Sequence, residues 1–454
     1  MWGRKSGRTG GCFHQLLGSF IRAQVKHQCN ALTRSTNFLP TRLGTTAEGV
    51  LVSHSAVKSQ QKYILKAMPL FFVGMTLRPL TTSVGPVLPE IRAEFGLSAT
   101  AASLLSTLPI LMFGFGAMLV PRLLNRVTPN RAVSVALVAL AIGGTLRLVP
   151  TVAVLYLGTI VIGLGVAVGN VVPSIITRRD FPKNIGGVMG MIAGAISISA
   201  AIAALITYPL TEAIGSWRSA LELWAILPLI AWVVWRFYRH TETVDATLTT
   251  PRDMRALFRN KLAWALVFYF GFQSMNYHSM NAWLPSILRD SGIDPTIAGK
   301  QLALLVLLGF PAGLLVPPLA AKFKSQVMLC VSFVIIFAIG LVGIYLFATT
   351  GWWPNGTWLW VSLLGIGLGS SFPLALTLVL LRSDSHETAR DLGSFMQGGG
   401  YMISAIGPLT LGLLKDLTHT WGAAFIALAV ALLIQLVSGI VISRPGVIRG
   451  TTKP

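Results

Sequence analysis

"LPEIRAEFGLSATAAS", residues 88–103, and "LPSILRDSGIDPTIAG", residues 284–299, are one pattern written twice, identical at Leu88/Leu284, Pro89/Pro285, Ile91/Ile287, Gly96/Gly292, Thr100/Thr296 and Ala102/Ala298 at an offset of 196. The repetition continues in order. "GVAVGNVVP" from Gly165 aligns on "GIGLGSSFP" from Gly365, and Trp217 in "IGSWRSALEL" falls opposite Trp421 in "THTWGAAFIA". Internal self-similarity on this scale means that one structural unit has been used twice.

What that unit is follows from composition. The 454 residues are 53% hydrophobic and only 11% charged, far below the roughly 25% charge of soluble domains. Apolar runs long enough to cross a hydrocarbon core as helices cover approximately 63–88, 101–123, 131–149, 152–174, 185–210, 219–238, 261–288, 298–321, 326–348, 356–381, 392–414 and 421–443. The expected fold is therefore an all-α membrane protein of twelve transmembrane helices in two pseudo-symmetric six-helix halves. The expected domain layout is 1–62 as a basic extension, 63–238 as the N-terminal half, 239–260 as a cytoplasmic linker, 261–443 as the C-terminal half and 444–454 as a tail. Residues 1–62 are Ser/Thr-rich and basic, with Glu48 the only acid. They read as translated sequence upstream of a start near Met68, with a disordered tail or a presequence as the alternatives.

The net charge of +21 is placed unevenly, with nineteen Lys and Arg in the even-to-odd connections, linker and tail against six in the others, among them Arg147. The positive-inside rule then puts both termini in the cytoplasm, and no nucleic-acid partner is expected. Cys12, Cys29 and Cys330 are scattered, and there is no G-x-x-x-x-G-K-[ST] loop and no H-E-x-x-H. The expectation is no catalytic constellation, no metal and no cofactor.

Parallel halves of six spans are the layout of the major facilitator superfamily, in which substrate sits near the midplane between halves that rock. Gly165 and Gly169, repeated as Gly365 and Gly369, and the series Gly186, Gly190 and Gly194 are expected to allow close helix packing. Arg78, in "GMTLRPLTTSVGP" (74–86), lies in mid-span with no carboxylate at comparable depth in another span. An ionisable residue there faces a cavity or a partner. Either the guanidinium, with Thr81 beside it, holds a substrate anion, or it is held by carbonyls freed at Pro79 and by neighbouring hydroxyls. Carried across the repeat, Arg78 falls on Ser274, so Tyr277 and His278 are expected on the cavity face with Gln273 beside them. Asn170 and its counterpart Ser370, and Gln397 with Tyr401, add polar groups at matching depth. His278 is the candidate for proton coupling.

"MTLRPLTTSVGPVLPEI", "STLPILMFG", "VVPSIITRR", "NAWLPSIL", "SFPLAL" and "SFMQGGGYMISAIGPLTLGLL" together resemble the cyanate permease and 2-nitroimidazole exporter branch of that superfamily. The resemblance implies a secondary carrier of a small, cyanate-like anion in a bacterial inner membrane, functional as a monomer, and it carries over Arg78 and Pro79, Trp283 to Pro285, and Gln397 with Gly398. The alternative it implies is an exporter of a small neutral or zwitterionic heterocycle such as 2-nitroimidazole. One departure is "NRVTPNR" (125–131), where Asn125 replaces the superfamily's usual Asp.

Overall fold

Pro79 shapes the first crossing. It has no amide hydrogen, and its ring collides with the carbonyl one turn back, so a helix cannot run through it undisturbed. In the computed structural model, which describes residues 66–124, 126–182, 184–237 and 255–448, α1 is accordingly built of short pieces: 66–76, Pro79–Thr82, a 3-10 turn at Gly85–Val87, and Leu88–Phe95. The uninterrupted span expected over 63–88 is thus replaced by a twice-broken one that continues to Phe95.

Eleven further crossings follow: α2 (Ala99–Leu124), α3 (Pro129–Thr145), α4 (Val152–Asp180), α5 (Ile185–Ile214), α6 (Trp217–Arg236), α7 (Lys261–Asp290), α8 (Pro295–Ala321), α9 (Val327–Thr350), α10 (Thr357–Leu381), α11 (His386–Thr418) and α12 (Gly422–Ser443). Among the described residues, nine helices are long and apolar enough to cross a membrane by those measures alone. The other three are α1, which is broken, and α7 and α11, which carry polar residues along their length. Two of these, α1 and α7, line the cavity between the halves together with α2. The proposed upstream extension, Asn125 and most of the 239–260 linker lie outside the described residues; Arg255–Arg259 forms a short helix before α7.

The sequence repeat becomes a repeated set of contacts. Trp217 donates its indole N–H to Glu94, and Arg218 pairs with the same carboxylate. At the matching place in the second half, Trp421 Nε1 donates to Asp290 at 3.0 Å and Lys415 pairs with that carboxylate at 3.0 Å. Gly96 (φ 61°) and Gly292 (φ 89°) end the preceding helices in the left-handed region, which L-residues with a side chain rarely enter. Thr177 donates to Pro173 O in α4, and Thr377 to Pro373 O in α10, at 2.7 and 2.8 Å.

Helix approach at the glycines is partly as expected. A Cβ on Gly369 would lie 2.5 Å from Gly309 Cα, and one on Gly365 2.8 Å from Leu305 O, so α8 and α10 pack backbone to backbone. Gly186 and Gly190 are different, because nothing lies within 4 Å of a Cβ built on either and only Gly194 meets a neighbour, the Phe310 ring. Two arginines counted as loop charges are buried. Arg382 donates from Nε to Ile442 O (2.9 Å) and from Nη2 to Gln326 Oε1 (2.6 Å) and Ser443 O (2.9 Å), stapling α12's end to α9 and α10. Arg147 lies inside the N-terminal half at 1% exposure.

At the end opposite the basic connections, the halves are joined by polar contacts. Arg289 of α7 pairs with Glu90 of α1 (2.6 and 3.0 Å) and donates to Pro86 O (3.1 Å). Asp416 of α11 accepts the backbone N–H groups of Ala99 (2.8 Å) and Thr100 (2.7 Å) and the Thr100 hydroxyl (2.6 Å). It therefore caps the first turn of α2 from the other half. Burial alone would raise the Asp416 carboxyl, but the hydrogen bonds from Thr100 and Ala99 outweigh it and hold the group at about 2, below its ordinary 3.8. A depressed carboxylate stabilises its contact fully above its ordinary value and loses that contribution as pH falls through the lowered one. The α2 to α11 distance at this end, read by paired spin labels, is expected to stay constant from pH 8 to about 5 and to lengthen only below about pH 4. Asp416→Ala should lengthen it at every pH.

Candidate functional site

Arg78 occupies the first break in α1, as the residue preceding Pro79–Thr82, with φ −115° and ψ −32°. Its carbonyl accepts the amides of Thr81 (3.0 Å) and Thr82 (2.9 Å) and the Thr81 hydroxyl (2.9 Å). The local backbone is thus satisfied by Thr81, and the guanidinium is left to project from the break. It enters a cavity of ≈ 30 Å³ that it lines with Thr81, Ser106, Phe113, His278 and Asn281. The walls come from both halves, α1 and α2 on one side and α7 on the other.

Among the described residues the Arg78 guanidinium has no carboxylate and no hydrogen-bond acceptor; its recorded partner is the Phe113 ring, 5.7 Å from Cζ to centroid. A cation over an aromatic face gains about 0.5–2 kcal/mol, which orients it without neutralising it. His278 faces the same cavity. Its Nδ1 lies 2.8 Å from Ser274 O and 3.0 Å from Ser404 Oγ, and its Nε2 is buried without a hydrogen-bond partner. A carbonyl can only accept, so the Ser274 contact puts the proton on Nδ1 and leaves Nε2 as a lone pair when the ring is neutral.

The structure brings together only some of the residues named from sequence. Arg78, Thr81 and His278 share the cavity. Tyr401 is buried beside it, its ring edge-on to Phe113 at 5.8 Å and 6.3 Å from the His278 ring, and Tyr277 adjoins His278 at 5.3 Å. Gln273 points elsewhere, because its Nε2 donates to Leu368 O of α10 at 3.0 Å and its Oε1 accepts from Ser274. Trp283 is fully buried, its indole N–H bonded to Pro408 O at 2.9 Å and its ring 5.4 Å from Trp421. It is a packing residue of the second half in this structure. Asn170 is exposed on α4, Ser370 is buried on α10 and Gln397 is half-buried on α11, all outside the cavity lining.

Sequence reasoning missed Asn281, Ser106 and Phe113. Asn281 is three residues from His278 on the same helix face, a signal that was available. Ser106 and Phe113 lie two turns apart within "STLPILMFG", a stretch that carried the resemblance but was not read for its facing side chains. It also missed Arg147, whose Nη1 donates 2.7 Å to Leu80 O while Nε and Nη2 have no acceptor. The Leu80 carbonyl belongs to the short Pro79–Thr82 piece, so this second arginine braces from behind the segment that presents the first.

Comparison with known proteins agrees with this architecture. The family model of the Major Facilitator Superfamily matches residues 70–408. The chain is 33% identical over 355 residues to the cyanate transport protein of Escherichia coli K12, covering 78% of this chain and 90% of that one. It is 30% identical over 386 residues to the 2-nitroimidazole transporter of the same strain, covering 84% and 95%. Among solved structures, a D-xylose–proton symporter superimposes with a TM-score of 0.67 at 15% identity, over 84% of this chain and 97% of that one.

Proposed function

We propose, from the premise that the chain belongs to the Major Facilitator Superfamily and is a multi-pass membrane transporter of a small molecule, that its cargo is a small monovalent anion of cyanate type bound at Arg78. The observation that carries this reading is the Arg78 guanidinium, projected into an inter-half cavity with no carboxylate partner among the described residues. A charge held in a low-dielectric site without a counter-ion is costly, and a substrate anion removes that cost. The similarity to a cyanate transport protein supports the same class.

Cavity size favours the anion over the heterocycle. One water needs about 10–15 Å³ of comparable volume, so ≈ 30 Å³ suits a triatomic ion better than a nitro-substituted ring. The aromatic edges of Phe113 and Tyr401 favour the second reading, export of a 2-nitroimidazole-like solute, once the halves have opened further. Both termini are cytoplasmic in this proposal, and one chain suffices.

His278 supplies the proton link. A proton on Nε2 would set a second positive charge beside Arg78 and is favoured when an anion is bound between them, so proton and anion load together. That coupling matters because an inside-negative potential of about 100 mV opposes entry of a lone monovalent anion by about 2.3 kcal/mol. In proteoliposomes, the parent is expected to exchange labelled cyanate across the membrane and to speed uptake when the interior is made alkaline. His278→Gln should keep the exchange and lose the response to the pH gradient. No cyanate exchange by the parent, with 2-nitroimidazole exchanging instead, would reverse the order of the two readings.

A further inference from the structure

A groove of ≈ 700 Å³ runs along the membrane-facing surface between α7 and α12, far from the Arg78 cavity. Trp264 and Phe268 of α7 form one wall and Leu433 and Val437 of α12 the other, with Arg259 and Lys261 at the end where α7 begins. From Lys261 to Phe268 the helix rises about 10 Å, so the basic end lies at headgroup level when the aromatic wall lies among acyl chains.

The groove is preformed. Trp264 donates its indole N–H to Phe258 O at 2.9 Å, and the Phe395 ring of α11 backs both Trp264 (5.3 Å) and Phe258 (4.9 Å). Asn260 accepts the amides of Leu262 (2.9 Å) and Ala263 (3.3 Å), fixing the start of α7 between the two cations. Arg259 and Lys261 are both exposed, and neither has a carboxylate partner among the described residues.

We propose that this groove is a site for one anionic phospholipid from the leaflet on the side of the basic connections, its phosphate held by Arg259 and Lys261 and an acyl chain lying between Phe268 and Val437. Charge complementarity selects the occupant: a neutral phospholipid fills the apolar trough equally well but leaves both cations without a net negative partner. Basic residues at an anionic interface each strengthen binding, and the pair is expected to give a preference of roughly thirtyfold.

The test is native mass spectrometry of the full chain released from mixed micelles containing phosphatidylglycerol and phosphatidylcholine with the same acyl chains. The parent should retain one phosphatidylglycerol at roughly thirtyfold preference. The double substitution Arg259→Gln with Lys261→Gln should retain the two lipids about equally. Val437→Trp, which fills the trough and leaves the charges, should reduce retention of both. Thermal unfolding in phosphatidylcholine alone checks that each variant is folded. Equal retention of the two lipids by the parent, or an undiminished preference in the double variant, overturns the proposal.

Discussion

Arg78→Ala is expected to abolish anion binding while leaving a folded, membrane-inserted protein. The guanidinium has no hydrogen-bond acceptor among the described residues and one aromatic contact, so its removal breaks no polar network. The backbone break it occupies is maintained by Pro79 and by the Thr81 hydroxyl on the Arg78 carbonyl, neither of which needs the side chain. A charge-assisted hydrogen bond contributes about 1.5–3 kcal/mol, and a bidentate pair in a desolvated cavity involves two of them. The expected loss of cyanate affinity is therefore at least about a hundredfold. Ligand-induced thermal stabilisation measures it, since a ligand that binds only the folded state raises apparent stability with the logarithm of its concentration over Kd. Arg78→Lys should recover part of the affinity, because an ammonium restores the charge without the planar fork. Equal stabilisation of parent and alanine variant by cyanate would remove Arg78 from the site.

Gly85→Val should stop transport by a different route. Gly85 lies at the second break in α1, where a Cβ would be 2.7 Å from the carbonyl oxygen of Asn281 on α7. The obstacle is backbone in the opposite half, so no rotamer relieves it. Relief requires α1 and α7 to separate, which also pulls Arg289 away from Glu90 and Pro86 O. Overpacking of this kind costs typically about 1–3 kcal/mol, and here the cost falls on the state in which that end is closed. Transport is expected to fall by roughly five- to 150-fold, by the same conversion of free energy to ratio. A cysteine placed at Thr82, which lines the cavity, should become more reactive to a membrane-impermeant maleimide in the Gly85→Val background. Unchanged reactivity together with normal transport would show that α1 and α7 accommodate the side chain without opening.

The twelve crossings and the two-fold repeat were readable because hydropathy and internal identity are carried by the residues themselves: Gly96 and Gly292 match because both must adopt positive φ, and Trp217 and Trp421 match because both donate to an acid at the end of the first helix of their half. Arg78 was readable because a charge in a span has few uses. What the sequence could not convey was which of two packed helix faces lines the cavity. Gln273 and His278 lie five residues, about 140° of turn, apart on α7, and it is the face of His278 that meets the cavity while Gln273 enters the α10 interface. Arg147 and Arg382 were misplaced for a related reason. Both lie at helix ends, where hydropathy reads any arginine as solvated, but unsatisfied carbonyls at breaks and termini attract guanidinium donors.

The first turn of α2 has an N-terminus whose capping group is on loan. Ser98 takes only the amide of Ala101 (3.1 Å), and the two preceding amides depend on Asp416 in the other half. When the halves rock apart at that end, as the superfamily's mechanism requires, α2 must exchange a carboxylate for water, and when they close it regains one. A helix cap is worth about 1 kcal/mol, so this exchange alone weights the two populations by about fivefold. The resting bias of the transporter is thereby written partly in the end of one helix, at a distance from the cargo, where substitutions can retune the conformational balance without touching what is carried.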